Sequence, residues 1–253
     1  MRFVVAYEGT RYFGWQLQAR GATVQGVMEA ALAQLEGRSV RVLGASRTDA
    51  GVHALGQVAW AQTTRQIEPM RYRDALNHFL PDDVRVRACD LPGEEFHPLR
   101  GVSEKTYVYR LDCRAVADPL GRRFALHVPD ALDRAAMREA LPALLGRHDF
   151  AAFAGTGSPR RSTERTVREA RLAEVEGGLT VTLTADGFLY HMVRHVVGLL
   201  LAVGRGRADP ESVGRALLGD LPREGLPLAP AHGLTLLGIA YGPPNPLDSR
   251  TVE

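Results

Sequence analysis

Lysine, cysteine and long apolar runs are all scarce in this 253-residue chain, and each scarcity excludes something. The two cysteines, Cys89 and Cys113, form no CxxC pair and no metal-ligand cluster, so neither a disulfide framework nor a zinc site is supported. A reducing cytoplasm is expected. The longest apolar run, around Met192 to Val203, is broken by Arg194 and His195. It falls short of the about 20 residues that span a bilayer, and no secretory pattern opens the chain. Lys105 is the only lysine among 31 basic residues, while isoleucine (Ile67, Ile239) and asparagine (Asn77, Asn245) are almost as rare. That is the signature of a GC-rich coding bias, so arginine abundance alone says little about partners, although the forked guanidinium suits phosphate. A net charge of +2 and a pI near 8.7 are too mild for a chain that coats nucleic acid. An RNA site would have to come from local clustering. What is abundant is apolar content, 45%. It is enough to bury the core of one large domain or two half-size ones in a soluble globular protein.

Periodicity predicts a strand at 2–7 and an amphipathic helix with Val24, Val27, Met28, Ala31, Leu32 and Leu35 on one face, capped by Thr23. Strands follow at 40–46 and 54–62, a helix at 70–79 and a strand at 84–90. The order is β-α-β-β-α-β. It returns after residue 102, with a strand at 102–112, a helix at 133–145, strands at 165–176 and 179–186, helices at 189–204 and 210–219, and a strand at 234–241. Two tandem split βαβ halves of the α+β class, ferredoxin-like or RRM-like, are therefore expected, at 1–97 and 98–253, with the junction near Pro92 to Arg100. Such halves can form a long antiparallel sheet with helices on one face and a central cleft on the other. No run resembles the aromatic RNP1 pattern of RRM binders.

The chemistry-bearing stretch is SRTDAGVHA, residues 46–54. If the strand preceding it runs on, Arg47 and Asp49 share a face. Gly51 then allows a close backbone approach. An arginine within roughly 4 to 6 Å lowers a carboxyl pKa by about 1 to 3 units, giving a nucleophile that needs no deprotonation. Read locally, the same residues also fit a turn aspartate with a surface ion pair. Lys105, Tyr107 and Tyr109 of KTYVY lie on one side of a strand, where Tyr107 is either core packing or a flat face and hydroxyl for a base. His191, Arg194, His195 and Gly198 form the one polar stripe of an otherwise apolar helix, facing solvent or a site. The loop GTGSPRRSTERT, 155–166, gathers Arg160, Arg161 and Arg165 with little apolar anchorage, and the loop at 12–20 mixes Tyr12, Phe13, Trp15, Gln16 and Arg20. Both suit RNA and both suit ordinary loops.

RTDAGVHA at 47–54, together with YEGTRYFGWQ at 7–16, FHP at 96–98, KTYVY at 105–109 and FLYHMVRHVVG at 188–198, resembles the motif set of the tRNA pseudouridine synthases of the TruA family. The resemblance covers nearly the whole chain and departs at Ser46, where the family has glycine, and loosely after Asp220. It implies an isomerase that converts uridine to pseudouridine at positions 38 to 40 of the tRNA anticodon stem-loop, with no cofactor and no metal, acting as a homodimer. It also implies Asp49 as nucleophile, Tyr107 against the uracil, and Arg194 holding or neutralising Asp49; Arg47, beside the nucleophile, is the best candidate to occupy the vacated space or steer the flipped nucleotide. Attack at ribose C1′, attack at uracil C6 and removal of the C2′ proton to a glycal remain open routes. The alternative reading is a noncatalytic RNA-binding protein on the same fold. A small-molecule hydrolase is disfavoured, since neither a nucleophile elbow nor a metal-ligand set is present.

Overall fold

A computed structural model describes residues 1–155, 162–221 and 225–242. The described residues divide into two compact units, Met1–Ser103 with 235–242, and those within Glu104–Leu234. The division falls at 103/104, and the closing strand from Thr235 groups with the first unit.

In the first unit the order β1 (Arg2–Tyr7), α1 (Val24–Glu36), β2 (Val42–Gly44), β3 (His53–Ala61), α2 (Pro69–Phe79), β4 (Val84–Asp90) matches the expected β-α-β-β-α-β. β1 lies between β3 and β4, antiparallel to both. Phe3 of β1 is fully buried against the ring of Tyr72 in α2. On the opposite face, Arg2 is ion-paired with Asp90 at 2.5 Å and lies over the ring of Phe96. α1 begins where expected because the Thr23 hydroxyl accepts from the Gly26 amide. The outer edge of β4 is occupied at Val86, whose amide and carbonyl both bond the side chain of Asn77, each at 2.8 Å. An occupied edge is a poor template for a foreign strand.

One edge of β3 changes partners along its length. β1 takes one side of β3 from Ala54 to Trp60. On the other side β2 pairs with residues 59–61, while β10 (Leu234–Tyr241) pairs in parallel with His53 and Ala54. β2 is three residues long and not the seven that local pattern predicts for 40–46, because at Ser46 a side chain, that of Gln57, replaces the ladder partner. The segment carrying Asp49 is a loop between β2 and β3 and not the end of a strand.

The second unit contains β5 (Val102–Asp112) from Glu104 on, β6 (Leu126–His127), α3 (Arg134–Ala140), β7 (Gly146–Asp149), β8 (Glu164–Val175), β9 (Gly178–Ala185), α4 (Met192–Gly204) and α5 (Ser212–Leu217). The short β6 and β7 interrupt the repeated order. β9 is flanked by β5 and β8 and β8 by β7, all antiparallel. α4 supplies the core, with Met192, Val196, Val197 and Leu200 fully buried. After β5 the chain is clamped by the Asp112 carboxylate, which accepts from Arg114 Nε at 2.7 Å and from the Asp118 amide at 2.9 Å. The Arg114 bond holds the Asp112 carboxyl well below its usual range, against the opposing push of burial. Among the described residues no helix is long and apolar enough to cross a membrane.

Candidate active site

The Asp49 loop is held almost entirely by residues distant in sequence. The β2–β3 ladder continues one step past Gly44, through the Ala45 amide to the Val58 carbonyl at 2.8 Å. There the side chain of Gln57, fully buried, takes over from backbone: it donates to the Ser46 carbonyl at 2.7 Å and accepts from the Ser46 amide at 3.1 Å. An amide side chain can satisfy both groups at once because it carries a donor and an acceptor side by side. Next, the Thr48 hydroxyl bonds the Tyr7 hydroxyl at 2.7 Å, and the Thr48 carbonyl accepts from the Trp15 amide at 3.1 Å. The Gly51 amide donates to the Tyr12 carbonyl at 3.3 Å, and the Val52 amide closes the turn on the Asp49 carbonyl at 3.1 Å.

The N-terminal loop, residues 9–22, is thus the support of the Asp49 loop. Contact is backbone on backbone. A Cβ on Gly14 would come to 2.5 Å from the Thr48 carbonyl oxygen and 3.1 Å from the Asp49 carbonyl carbon, and Gly14 has φ +85. Only glycine meets both demands, the left-handed angle and the missing side chain. Trp15, 1% exposed, covers Gly44, and the Gly9 amide donates to His53 Nδ1 at 2.9 Å. These contacts leave Asp49 half-buried and Arg47 exposed. Arg47 makes no hydrogen bond or ion pair among the described residues, so the expected Arg47–Asp49 pair is absent and the guanidinium is available to solvent or a ligand. The physical reason is the loop: residues 45–52 belong to no strand, so the alternation that would set residues 47 and 49 on one face is not imposed.

The sequence-predicted residues of the second unit occupy defined places within it. Tyr107 pairs across from Leu183, is 6% exposed and stands edge-on to Phe188 with centroids 5.2 Å apart. Tyr109 is fully buried and donates its hydroxyl to the Pro230 carbonyl at 2.8 Å. Burial pushes that hydroxyl's pKa up, and the charge of Arg194 nearby pulls against it. Arg194 is half-buried, its Nε donates to the Ala229 carbonyl at 2.8 Å, and its own carbonyl accepts from the Ala229 amide at 3.1 Å. A Cβ on Gly198 would lie 2.1 Å from the Pro227 carbonyl oxygen. The polar stripe of α4 therefore faces the 227–230 segment at Arg194 and Gly198, and not open solvent.

His191 precedes α4 with φ 65, the one positive φ at a non-glycine among the described residues, and its ring stacks on Tyr190 at 3.7 Å. Of the arginine-rich loop, Arg160 and Arg161 lie outside the described residues, while Arg165 is described at the start of β8. No group of three or more His, Cys, Asp or Glu able to hold a metal occurs among the described residues. Local sequence reading missed Gln57, Tyr7 and Gly14 as supports. Gln57 carried a signal, as the one polar side chain in the apolar stretch ALGQVAWA that follows His53.

A family model for tRNA pseudouridine synthase matches residues 3–98 and 140–242. The chain is 42% identical over 243 residues to a tRNA pseudouridine synthase A of Syntrophotalea carbinolica, covering 96% of each chain. It is 40% identical over 245 residues to that of Maridesulfovibrio salexigens, covering 96% of this chain and 90% of the relative. To the tRNA pseudouridine synthase A 1 of Bacillus cereus it is 38% identical over 242 residues, covering 95% and 98%. A chain in the crystal structure of a Cbf5-Nop10-Gar1 complex has a TM-score of 0.35 and 15% identity, covering 80% of this chain and 45% of that one, a likeness too distant to bear on function.

Proposed function

The chain belongs to the tRNA pseudouridine synthase family, and on that premise we propose that it isomerises uridine at positions 38, 39 and 40 of the tRNA anticodon stem-loop, with Asp49 as the nucleophile. The observation that carries this reading is the mounting of Asp49. A half-buried carboxylate stands on a loop whose backbone is fixed on both sides by Gln57, Tyr7, Trp15 and Tyr12, with an exposed arginine two residues away. Rigid presentation of one charged group is what covalent or electrostatic catalysis asks of a scaffold.

The reaction conserves atoms. The N1–C1′ bond of uridine breaks, the freed uracil turns in place, C5 joins C1′, the C5 proton leaves and N1 gains one. Asp49 opens the sequence at the sugar or the base. Asp49 or the Tyr107 hydroxyl takes the C5 proton. The family resemblance assigns Arg194, whose Nε is held by the Ala229 carbonyl within its own unit, to hold or neutralise the carboxylate. A stem uridine has to leave the helix first, at a cost of a few kcal/mol, and Arg47 steers the flipped nucleotide or fills the space it vacates. A site closed to water keeps the detached base from escaping. The family resemblance further implies a homodimer working in the cytoplasm without a cofactor; sedimentation tests the dimer.

The test is incubation of the chain with tRNA carrying tritium at uracil C5, without added metal or nucleotide, followed by mapping of the modified positions. Release of label to water, with pseudouridine at 38–40, supports the reading. Binding of tRNA without release favours the noncatalytic RNA binder and ends the proposal.

A further inference from the structure

The N-terminal loop contains three aromatic residues in close sequence, and the fold treats them differently. Tyr12 and Trp15 are 5% and 1% exposed, whereas Phe13 is 51% exposed. A lone exposed aromatic is unremarkable on its own. This one is fixed in place. Its amide donates to the Ala22 carbonyl at 2.8 Å, closing the 13–22 lobe, and its carbonyl accepts from Gln18 Nε2 at 2.6 Å. Its ring lies against Gly21, where a Cβ would come to 2.4 Å from a ring carbon. One part of the ring is thus backed by the lobe and the rest is presented outward.

The placement matters as much as the exposure. Phe13 is one peptide, about 3.8 Å from Cα to Cα, from Gly14, which is itself in backbone contact with Thr48 and Asp49. Residues 16–22 of the same lobe are all exposed, and Arg20 among them makes no hydrogen bond or ion pair with any described residue. An aromatic platform beside an available arginine is the combination that holds unstacked bases and backbone phosphate in RNA sites.

We infer that Phe13 is a stacking contact for the substrate RNA, receiving a nucleobase that loses its neighbour when the target uridine leaves the stem. Flipping one nucleotide strips a stacking partner from the adjacent bases, and an aromatic ring mounted next to the catalytic loop replaces it. The ring touches substrate and not the reacting atoms, so it acts on binding. The inference rests on the tRNA-modifying reading above.

The experiment compares the wild type with Phe13→Ala, Phe13→Leu and Phe13→Trp, using C5-tritiated tRNA for turnover and indole fluorescence for contact. Stacking on an aromatic residue is worth enough that Phe13→Ala and Phe13→Leu should lower kcat/KM by about 5- to 100-fold, chiefly through KM. Phe13→Trp should stay within about threefold of wild type, because it keeps a π-face. Adding a tRNA stem-loop should quench the fluorescence of F13W more than that of the wild type, whose own tryptophans are Trp15 and Trp60. Phe13→Ala within twofold of an active wild type, or no extra quench in F13W, overturns the inference. A wild type that releases no label instead sinks the isomerase reading, and the quench then still decides whether the ring meets RNA.

Discussion

Gly14→Ala is a small change with a large expected effect, because the residue it crowds is backbone on both sides. The new Cβ would sit 2.5 Å from the Thr48 carbonyl oxygen, against the 3.4 Å at which ordinary contact begins, so the two loops must part by 0.9 Å. Neither partner is a flexible side-chain end. A misplacement of about 1 Å in a catalytic group can cost roughly a hundredfold in rate, and the group displaced here carries Asp49. Gly14→Ala also imposes a left-handed φ on alanine, a strain of about 1 to 2 kcal/mol. Gly37→Ala supplies the control: Gly37 has φ +71 and nothing within 4 Å of its would-be Cβ, so it carries the strain without the clash. Guanidinium unfolding and single-turnover tritium release on both variants separate the two effects. Both proteins should lose similar backbone stability, Gly14→Ala somewhat more, and only Gly14→Ala should lose about two orders of magnitude in turnover. If Gly14→Ala turns over within threefold of Gly37→Ala, the N-terminal loop does not position Asp49.

Gln57→Leu keeps the volume but leaves the Ser46 amide and carbonyl without their partner, at about 1 to 3 kcal/mol for each buried group. A shift of the denaturation midpoint equivalent to less than 0.5 kcal/mol would show that the clamp is dispensable. The Asp112 carboxyl is held low in the folded state. Its contribution is therefore present above the unfolded carboxylate value of about 3.9 and is lost as pH falls below it. Asp112→Asn should lower stability at pH 7 and flatten the acid limb of a stability–pH curve, and an unchanged acid limb would refute this. Burial pushes the Cys89 thiol up to about 11, so its reaction with a disulfide reagent at pH 8 should be at least about tenfold slower than that of a free thiol. A rate equal to the free thiol's would contradict its placement.

Much of the fold was legible because hydrophobic period and turn residues are local signals. β4 and β5 fall where pattern puts them, at 84–90 and 102–112, and α1 starts at its Thr23 cap. β2 was misjudged for a nonlocal reason. Val40 to Ser46 has strand composition, but Val40 and Arg41 would face residues past the end of β3 at Ala61, and at Ser46 the Gln57 side chain takes the place of a ladder partner. Farther along, β10, almost two hundred residues downstream, holds the β3 edge at His53 and Ala54, so the Asp49 segment is a loop without the strand alternation that suggests an Arg47–Asp49 pair. α3 was expected to run to 145 and stops at Ala140, passing into a tighter 3₁₀ turn at Leu141–Leu144, where Pro142 cannot donate into a helical ladder. Within the site, the nucleophile candidate was legible from its motif. Its supports were not, because Tyr7, Gly14 and Gln57 act through backbone groups that only the folded chain brings into reach.

Replacing the Asp49 side chain and following label from C5-tritiated tRNA bears most directly on the account as a whole. Asp49→Ala should release no tritium while binding tRNA within about tenfold of the wild type, since the neighbours of Asp49 and its own backbone anchor the loop. An Asp49→Ala protein that continues to release label at a rate near the wild type's would contradict the assignment of the chemistry to this residue.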